Sequence, residues 1–473
     1  MPISFGTDGW RAIIAEDFTF DNVRACAQGL ANYLNQAISS NQSVVIGYDT
    51  RFASEDFATV SAEVLAANGV KVLLCSKIAP TPVISYAVTA TKATGGIVIT
   101  ASHNPGRWNG FKLKDSTGAS ASAELAAVVE KYTNEALLSG NIKRISVEEG
   151  VNKGTITYYD PLPAYNQQIR HLLDLKPICQ NSFKIIVDSM FGAGIGYFRS
   201  FLEDSKLDII DINAERNPSF PGIQQPEPIA KNLAKLASTV KEQKADVGLA
   251  TDGDADRIGI MDEKGNFLNP HQVFALLALY FLEVRQERGP IVKSLCSTNM
   301  LELLGKVYDV PVYETKVGFK YVAPVMLEQN AFIGGEESGG YGFRGHVPER
   351  DGILAGLYFL DFMTQTRKTP SQLLEFLYSK VGPHYYDRYD LHILPEQRKT
   401  LLSKVEQSTI SSIDGIKVAG VNKADGFKFL LSDESWLLIR FSGTEPLIRV
   451  YAESHSIEQV KKLLDYGKEM LGL

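Results

Sequence analysis

A serine stands in a polar turn directly after an apolar segment. The run "GGIVI" at 95–99 is followed by "TASHNPG", which places Ser102 beside His103. A tight turn needs only the Asn-Pro-Gly part of this stretch, so the added hydroxyls and imidazole indicate a reactive site, although a serine that merely caps the turn is the alternative. Adjacent side chains in a strand or tight loop point in different directions, so we expect His103 to be poorly placed as the base of a catalytic triad. Nearby Lys112 and Lys114 favour phosphorylation of Ser102, because a phosphate attracts cations.

Three aspartates alternate in the stretch "TDGDADR" at 251–257. Asp252, Asp254 and Asp256 follow the apolar run "VGLA". On an extended backbone alternate side chains fall on one side, where three carboxylates would repel one another unless a cation neutralised them. Oxygen ligands favour Mg²⁺ first and Mn²⁺ second, with a solvated acidic turn as the alternative. A calcium EF-hand is excluded, because Arg257 stands where that loop needs glycine and the flanks are strand-like.

The stretch "GGEESGGYGFRGHVPERDG" at 334–352 is rich in glycine. Its seven glycines surround Glu336, Ser338 and His346. Closely spaced glycines let the backbone approach a ligand, and carboxylates and hydroxyls can hydrogen-bond to sugar hydroxyls. The pattern is therefore typical of a sugar-binding loop, and a flexible surface loop would explain the glycines equally well.

A compact group of hydrogen-bond donors lies between two strand-like runs near the C-terminal end of the sequence. In "IRFSGTEPLIRVYAE" at 439–453 these donors are Arg440, Ser442, the Gly443 backbone and Thr444. Arginine binds a phosphate dianion through two parallel hydrogen bonds, and backbone amides in a turn add to such a site. This pattern indicates a phosphate-binding loop, with a simple hairpin turn as the alternative.

Strand-like and helix-like runs alternate over most of the chain and must position these loops. The run "SVVIGYDTR", for example, precedes the amphipathic "SEDFATVSAEVLAANG", which precedes "KVLLC". Such alternation is typical of βα units with helices on both faces of a sheet. Beyond about residue 370 the runs "WLLIRF" and "LIRVYAE" instead predict antiparallel strands. The predicted class is α/β, with three tandem mixed-sheet domains and a smaller α+β C-terminal domain at 1–150, 151–265, 266–373 and 374–473.

Composition narrows the class of protein. A net charge of −7 argues against non-specific nucleic-acid binding, which needs a basic surface. The longest apolar run, "VFALLALYFL" at 273–282, is about half a membrane span and predicts a buried helix. No signal peptide is visible in "MPISFGTDGWRA", and the four widely spaced cysteines favour reduced core thiols. We therefore expect a cytoplasmic protein without nucleic-acid or membrane partners.

Four motifs together resemble one superfamily. "TASHNP", "DGDADR", "GEESGG" and "RFSGTEP", in this order, are similar to those of the α-D-phosphohexomutases, in the phosphoglucomutase/phosphomannomutase branch. "GTDGWR", "GYDTR" and "TKVGFK" match secondary signatures of the same branch, so the resemblance covers essentially the whole chain. It implies a four-domain enzyme in which each domain contributes one loop to a central cleft. It further implies hexose phosphates as partners and a monomer or homodimer.

The resemblance also implies roles for individual residues. Ser102 would carry the phosphoryl group, and one Mg²⁺ would bind a phosphoserine oxygen together with Asp252, Asp254 and Asp256. Sugar hydroxyls would bind to Glu336 and Ser338, and the non-reacting phosphate to Arg440, Ser442, Gly443 and Thr444. Further active-site positions are occupied by Arg11, His103, Lys112, Arg257 and Lys320. Candidates for proton transfer are Lys112, Arg11 and His346.

The implied reaction interconverts glucose 1-phosphate and glucose 6-phosphate, with glucose 1,6-bisphosphate as intermediate. "GEES" resembles the glucose-preferring pattern rather than the "GEMS" of dual glucose/mannose enzymes. Three alternatives stay open at this point. They are a synthase that makes glucose 1,6-bisphosphate from a donor such as fructose 1,6-bisphosphate, a mannose-specific phosphomannomutase, and a catalytically silent sugar-phosphate sensor.

Overall fold

The computed structural model describes residues 2–6, 9–37, 42–203, 205–442 and 447–473. Within these residues four β-sheets follow one another along the chain, each with its own helices. The first three sheets mix parallel and antiparallel strands, and the fourth is antiparallel throughout. The predicted α/β class, with three mixed-sheet domains and a different fourth domain, is confirmed.

The first domain is built on a six-stranded sheet. Its strands are β1 (Trp10–Ile13), β2 (Ser43–Tyr48), β3 (Lys71–Cys75), β4 (Gly95–Ile99), β5 (Trp108–Lys114) and β6 (Ile156–Tyr159). Its helices are α1 (Phe20–Ala37), α2 (Ser54–Ala67), α3 (Thr81–Ala90), α4 (Ala123–Ser139) and α5 (Val147–Asn152). The strand order is β1-β5-β4-β2-β3-β6, and the central β4 is buried along its whole length, as expected for a strand covered on both faces.

The predicted boundary at residue 150 lies inside this first domain. Strand β6 follows that position and pairs in parallel with β3, as the edge of the first sheet. Only one of its four residues is buried, so its sequence lacks the apolar run that identifies central strands. The second domain therefore begins after this edge strand.

The second domain carries a five-stranded sheet in the order β11-β10-β9-β7-β8. Its strands are β7 (Lys184–Asp188), β8 (Asp208–Ile212), β9 (Val247–Thr251), β10 (Ile258–Met261) and β11 (Phe267–Leu268). Its helices are α6 (Leu162–Leu172), α7 (Lys176–Cys179), α8 (Tyr197–Phe201) and α9 (Ala234–Gln243), with a 3₁₀ turn at Ala230–Asn232. Strands β9 and β10 are antiparallel neighbours, so the chain between them forms a loop at one end of the sheet.

The third domain begins with α10 (Pro270–Glu283), whose N-terminus is closed by a capping box between Asn269 and Gln272. The apolar run at 273–282 lies inside this helix and is buried, as predicted. The sheet, in the order β13-β12-β14-β15, consists of β12 (Ile291–Ser294), β13 (Val312–Thr315), β14 (Ile333–Gly335) and β15 (Tyr341–Phe343). The other helices are α11 (Met300–Tyr308), α12 (Phe319–Gln329), α13 (Gly352–Thr366) and α14 (Pro370–Val381). Helix α14 packs on α10 and α11, so this domain extends beyond the predicted boundary at 373.

The fourth domain has an antiparallel sheet in the order β16-β21-β20-β19-β18-β17. Its strands are β16 (Tyr385–His392), β17 (Ser412–Ile413), β18 (Ile416–Asn422), β19 (Phe427–Leu431), β20 (Trp436–Phe441) and β21 (Leu447–Ser454). Its helices are α15 (Gln397–Glu406) and the amphipathic α16 (Ile457–Leu471). The predicted antiparallel arrangement of "WLLIRF" and "LIRVYAE" is confirmed, because they form β20 and β21.

The first three domains share a hydrophobic core, and the fourth domain has another. One hydrophobic cluster runs through the first three domains, while the fourth domain has a separate core between its sheet and α16. None of the helices in the described ranges is long and apolar enough to cross a membrane. The four cysteines are free thiols, three of them buried and Cys179 half-buried.

Candidate active site

Ser102 lies in the loop that joins β4 to β5. Its backbone is left-handed, with φ +52°, and the residue is only 2% exposed. Thr100 supports the turn, since its Oγ1 accepts a hydrogen bond from the Ser102 amide at 2.9 Å. The Ser102 hydroxyl donates to Oδ2 of Asp252 at 3.1 Å, which joins the first domain to the second. The structure thus brings the predicted serine against the predicted metal loop.

The expected separation of His103 from Ser102 is wrong. The left-handed backbone at Ser102 turns the chain, so that the ring Nδ1 of His103 lies 3.3 Å from the serine Oγ. Rules for extended strands do not apply at such a position. Burial, together with the charges of Arg257 and Arg11, lowers the pKa of His103 well below its ordinary value, so the imidazole is neutral at neutral pH.

The aspartate trio occupies the loop between β9 and β10. All three side chains are fully buried, and one carboxylate oxygen from each lies within 4.8 Å of the others. Oδ2 of Asp254 accepts hydrogen bonds from Thr81 Oγ1 at 2.6 Å and Lys112 Nζ at 2.7 Å. Within the described residues, Oδ1 of Asp254 and Oδ1 of Asp256 have no hydrogen-bond partner. Buried, unpartnered carboxylate oxygens are costly unless a cation binds them.

The buried carboxylates of the trio repel one another, as expected for a site that binds a cation. Burial and repulsion from Asp256 and Asp254 raise the pKa of Asp252 well above its ordinary value. Burial would also raise the pKa of Asp254, but the charge and hydrogen bond of Lys112 hold that pKa well below its usual range. The donors are all oxygen, and strands rather than helices flank them, so the residues fit Mg²⁺ and exclude an EF-hand.

The turn between β14 and β15 holds Glu336 and Ser338. Glu336 is buried, and its Oε2 lies 3.3 Å from NH1 of Arg350. The same guanidinium reaches Oδ2 of Asp256 at 2.7 Å, so Arg350 connects the third-domain loop to the aspartate trio. Sequence reasoning did not single out Arg350, although it lies within the glycine-rich stretch. Ser338 is half-buried in the same turn.

His346 packs beside the start of α13, against Asp351 and two tyrosines. Its Nε2 is 3.0 Å from Oδ2 of Asp351, the residue that caps the N-terminus of α13. The ring packs against Tyr86 and Tyr165, and the side chain is fully buried. The contact with the α13 cap gives His346 a structural role, and its part in proton transfer stays a prediction. Lys114 likewise pairs with buried Glu349.

The predicted phosphate loop follows β20. The Arg440 Nε donates at 3.0 Å to Oδ2 of Asp425, an oxygen that also accepts the amide of Val317 at 3.0 Å. The carbonyl of Ser442 accepts from NH1 of Arg398 at 2.5 Å. Two further predicted members of this loop, Gly443 and Thr444, lie outside the described residues.

Asp425 and Arg398 are contacts that sequence reasoning missed. Asp425 connects the Arg440 side chain to the third-domain segment that leads into Lys320, which lies half-buried in the first turn of α12. Neither Asp425 nor Arg398 belongs to a glycine-rich or strand-end motif, so no local signal marked them. The contact of Asp425 with Val317 depends on how the third and fourth domains meet, and that of Arg398 with Ser442 on how α15 packs against the chain that follows β20.

Two arginines border the Ser102 loop. NH1 of Arg11 donates to Oδ1 of Asn104 at 2.8 Å. Arg257 donates its amide to Oδ1 of Asp252 at 3.2 Å, and its NH1 contacts Oε1 of Glu227 at 2.9 Å. The charges of both arginines act on His103, so both lie near the Ser102 loop, and their part in the active site stays a prediction.

Four domain families match this chain, one after another. They are domains I, II and III of phosphoglucomutase/phosphomannomutase, described as alpha/beta/alpha, and its C-terminal domain, at residues 2–139, 163–265, 269–381 and 402–466. The chain belongs to the phosphoglucomutase/phosphomannomutase family. Members of this family are phosphotransferase isomerases, so the chain is an enzyme of that class.

Relatives of the full length support the same family. A phosphoglucomutase/phosphomannomutase of Thermococcus kodakarensis is 32% identical, covering 99% of this chain and 98% of the relative. The probable phosphoglucosamine mutase of Methanosphaera stadtmanae is also 32% identical, and the match covers 100% of this chain and 98% of the relative.

Solved structures show the same architecture. A structure from Thermus thermophilus, provisionally described as a phosphomannomutase, has a TM-score of 0.86 and 35% identity, with both chains covered completely. A Paramecium phosphoglucomutase in an open form has a TM-score of 0.83 and 21% identity over 99% of this chain and 94% of its own, a likeness of fold.

Proposed function

We propose that this phosphohexomutase-family enzyme interconverts glucose 1-phosphate and glucose 6-phosphate through a phosphorylated Ser102. The observation that carries the proposal is the 3.1 Å contact between Ser102 Oγ and Asp252 Oδ2. It places a hydroxyl at a buried carboxylate trio contributed by another domain, and a phosphoserine needs a divalent cation close by. A silent sugar-phosphate sensor would have no need to keep this pairing.

The transfer step exchanges one phosphorus–oxygen bond for another. The 6-hydroxyl of bound glucose 1-phosphate attacks the phosphorus; its bond to Ser102 Oγ breaks and a bond to the sugar oxygen forms. The hydroxyl loses a proton and Ser102 Oγ gains one, and the candidates for moving this proton are Lys112, which contacts Asp254, and Arg11, which contacts Asn104. Glucose 1,6-bisphosphate then turns in the site and returns its 1-phosphoryl group to Ser102, leaving glucose 6-phosphate.

Charge stabilisation is the main catalytic task in phosphoryl transfer. Asp252, Asp254 and Asp256 would hold Mg²⁺, which would supply positive charge at the transferring group. Among the chain's own side chains, Lys112 contributes its ammonium from 2.7 Å beside Asp254. Arg11 and Arg257 add charge along the Ser102 loop.

The non-reacting phosphate binds at the fourth domain in this proposal. Asp425 orients Arg440 through its Nε, so that the guanidinium fork binds the phosphate through two parallel bonds. Ser442, Gly443, Thr444 and Lys320 complete the phosphate site. Glu336 accepts hydrogen bonds from sugar hydroxyls, and Ser338 both donates hydrogen bonds to them and accepts from them. Gluco preference follows from the "GEES" pattern.

The experiment is a substrate panel with product identification. Glucose, mannose and glucosamine 1-phosphates are supplied with Mg²⁺, with and without fructose 1,6-bisphosphate; glucosamine is included because relatives carry the name phosphoglucosamine mutase. We expect the highest kcat/KM with glucose 1-phosphate and glucose 6-phosphate as product. Stoichiometric accumulation of glucose 1,6-bisphosphate with slow isomerisation would instead identify a bisphosphate synthase. A higher kcat/KM with mannose or glucosamine 1-phosphate would overturn the glucose assignment, and no turnover of any sugar would favour the sensor.

A further inference from the structure

A fully buried arginine lies beneath the Ser102 loop. Arg51 follows β2 in the segment "GYDTR" and is 0% exposed. Burying a guanidinium is costly unless every donor is satisfied, so the contacts of such a side chain indicate what it does. Its hydrogen bonds to the described residues go to groups other than the carboxylates of the aspartate trio, so Arg51 is distinct from the groups proposed to react.

The guanidinium donates hydrogen bonds to the backbone of the loop rather than to its side chains. The acceptors are four carbonyl oxygens, those of Ser102 at 2.5 Å, Asn104 at 2.7 Å, Pro105 at 3.0 Å and Trp108 at 3.0 Å. These residues span the loop from its reactive serine to the first residue of β5. One side chain thus fixes both ends of the loop.

A carboxylate fixes Arg51 in turn. Asp49 accepts from Nε of Arg51 at 3.0 Å, and its Oδ2 also accepts from Thr100 Oγ1 at 2.6 Å. Thr100 in turn accepts the Ser102 amide at 2.9 Å. Asp49 and Arg51 therefore hold Ser102 from two directions, at its amide and at its carbonyl.

The second domain closes over the same side chain. The Phe220 ring lies 5.2 Å from the guanidinium carbon of Arg51, a cation–π contact. The Ser102 carbonyl also abuts Gly253 of the metal loop, where an added Cβ would lie only 2.3 Å from the carbonyl oxygen. The Ser102 loop is thus held between Arg51 below and the metal loop beside it.

We propose that Arg51 is the positioning residue that holds Ser102 Oγ in reach of the aspartate trio. The inference rests on the proposed function of Ser102. A left-handed φ at a serine costs energy and persists only where the surroundings over-determine it. The four carbonyl bonds supply that constraint. Since Glu336 and Arg440 lie on other domains, loss of Arg51 should slow phosphoryl transfer while leaving sugar-phosphate binding in place.

The test compares Arg51→Lys with a matched control, Val72→Ala. Lysine keeps the charge beside Asp49 but has three donors in place of five. Val72 is buried in β3 of the same sheet, where it pairs with Val44 and Ile156, so its truncation destabilises the domain without touching the loop. Melting temperature, kcat, KM for glucose 1-phosphate and the rate of Ser102 phosphorylation by glucose 1,6-bisphosphate are measured for each.

We expect Arg51→Lys to lower kcat and the Ser102 phosphorylation rate by about 100-fold, with KM changed less than about threefold, because a small displacement of a reacting group has effects of this size. The control should keep its kcat despite a lower melting temperature. Should Arg51→Lys fail to fold, Thr100→Val removes the acceptor of the Ser102 amide and should lower kcat by about tenfold without raising KM.

Two results would overturn the inference. One is a folded Arg51→Lys, or in its place Thr100→Val, whose kcat lies within about threefold of the unaltered enzyme; the other is a rise in KM with kcat unchanged. Both would leave the proposed function of Ser102 standing. An unaltered enzyme that never phosphorylates Ser102 would instead overturn the proposed function, and the inference with it.

Discussion

Three carboxylates and one hydroxyl meet where the second domain touches the first. The residues alone predicted Ser102 and the trio as separate features, and the family resemblance implied that they share one Mg²⁺. In the structure the Oγ of Ser102 lies 3.1 Å from Oδ2 of Asp252. What the sequence could not show is backbone conformation. His103 contacts Ser102 because of a positive φ, and His346 is buried against Asp351, Tyr86 and Tyr165. Both depend on tertiary contacts that no local pattern encodes.

Removing the metal should abolish activity and lower the melting temperature of the enzyme. Repulsion within the trio is relieved by the ion, so Mg²⁺ should raise the melting temperature, and Ca²⁺ should restore less activity after chelation because it tolerates looser geometry. Asp252→Asn removes one repelling charge and should therefore stabilise the metal-free enzyme. It should also reduce the rise in melting temperature that Mg²⁺ causes. Thermal melts with and without chelator measure this. Full turnover in thoroughly chelated enzyme would contradict the metal assignment.

Glu336 should discriminate between sugars. A buried carboxylate left without a hydroxyl partner is costly, so it rejects substrates that fail to pair with it. Glu336→Gln should raise KM and lower kcat together, by about tenfold or more in kcat/KM. Steady-state kinetics with glucose and mannose 1-phosphates measure the change. Equal efficiency on both sugars in the unaltered enzyme would contradict a role for Glu336 in gluco preference.

Elements were predicted best where apolar patterning was strong. The buried helix α10 and the antiparallel pair of β20 and β21 follow from their sequences. The edge strand β6 was missed, because three of its four residues are not buried and its register depends on β3. Contacts between elements of different domains, such as Asp425 with the Val317 amide, are likewise absent from any local pattern.

One such contact makes stability depend on pH. His271, near the start of α10, packs 3.9 Å from the Tyr386 ring of β16, and its ring nitrogens have no hydrogen-bond partner in the described residues. Burial, with the charges of Lys293 on β12 and Lys428 on β19, lowers the pKa of His271 from its ordinary 6.5 to about 3. Between these values the unfolded chain binds a proton that the folded chain does not. The free energy of unfolding therefore falls as the pH drops from 6.5 towards 3, by about 1.4 kcal/mol for each pH step of one within that window.

His271→Phe should remove this dependence. Phenylalanine keeps the ring contact and cannot be protonated, so it should raise the melting temperature more at pH 5 than at pH 8. Thermal melts across this range give the difference, with unaltered enzyme as reference. If His271→Phe changed the melting temperature by the same amount at both pH values, the change would come from packing and not from protonation of His271.

At the scale of the whole molecule, the first three domains share one hydrophobic cluster and the fourth has its own core. Polar contacts cross between the third and fourth domains, including Lys428 with Glu314 at 2.6 Å and Asp425 with the Val317 amide at 3.0 Å. A small apolar cluster crosses the same boundary; it consists of Leu295, Cys296, Trp436, Leu438 and Tyr451. In the proposed reaction, these contacts would keep the fourth domain closed over the site and so retain the bisphosphate while it turns. Composition and motifs give no information on closure.

Asp425 should matter for retention of the intermediate. Asp425→Asn weakens both the Arg440 orientation and the link to the third domain, so KM should rise by about tenfold while kcat changes less. Glucose 1,6-bisphosphate should also escape more often, which mass spectrometry of the reaction mixture measures. Unchanged KM and unchanged escape would show that Arg440 needs no such support.

Phosphoryl transfer through Ser102 is the central claim, and a pulse–chase experiment on the full chain tests it most directly. Enzyme is charged with radiolabelled glucose 1,6-bisphosphate, the labelled peptide is mapped, and unlabelled glucose 1-phosphate is then added, with Ser102→Ala as control. We predict label on Ser102 alone, discharged into sugar phosphate at least as fast as turnover, and none on the control, which should be inactive. Label on another residue, discharge slower than turnover, or turnover in Ser102→Ala would contradict the account.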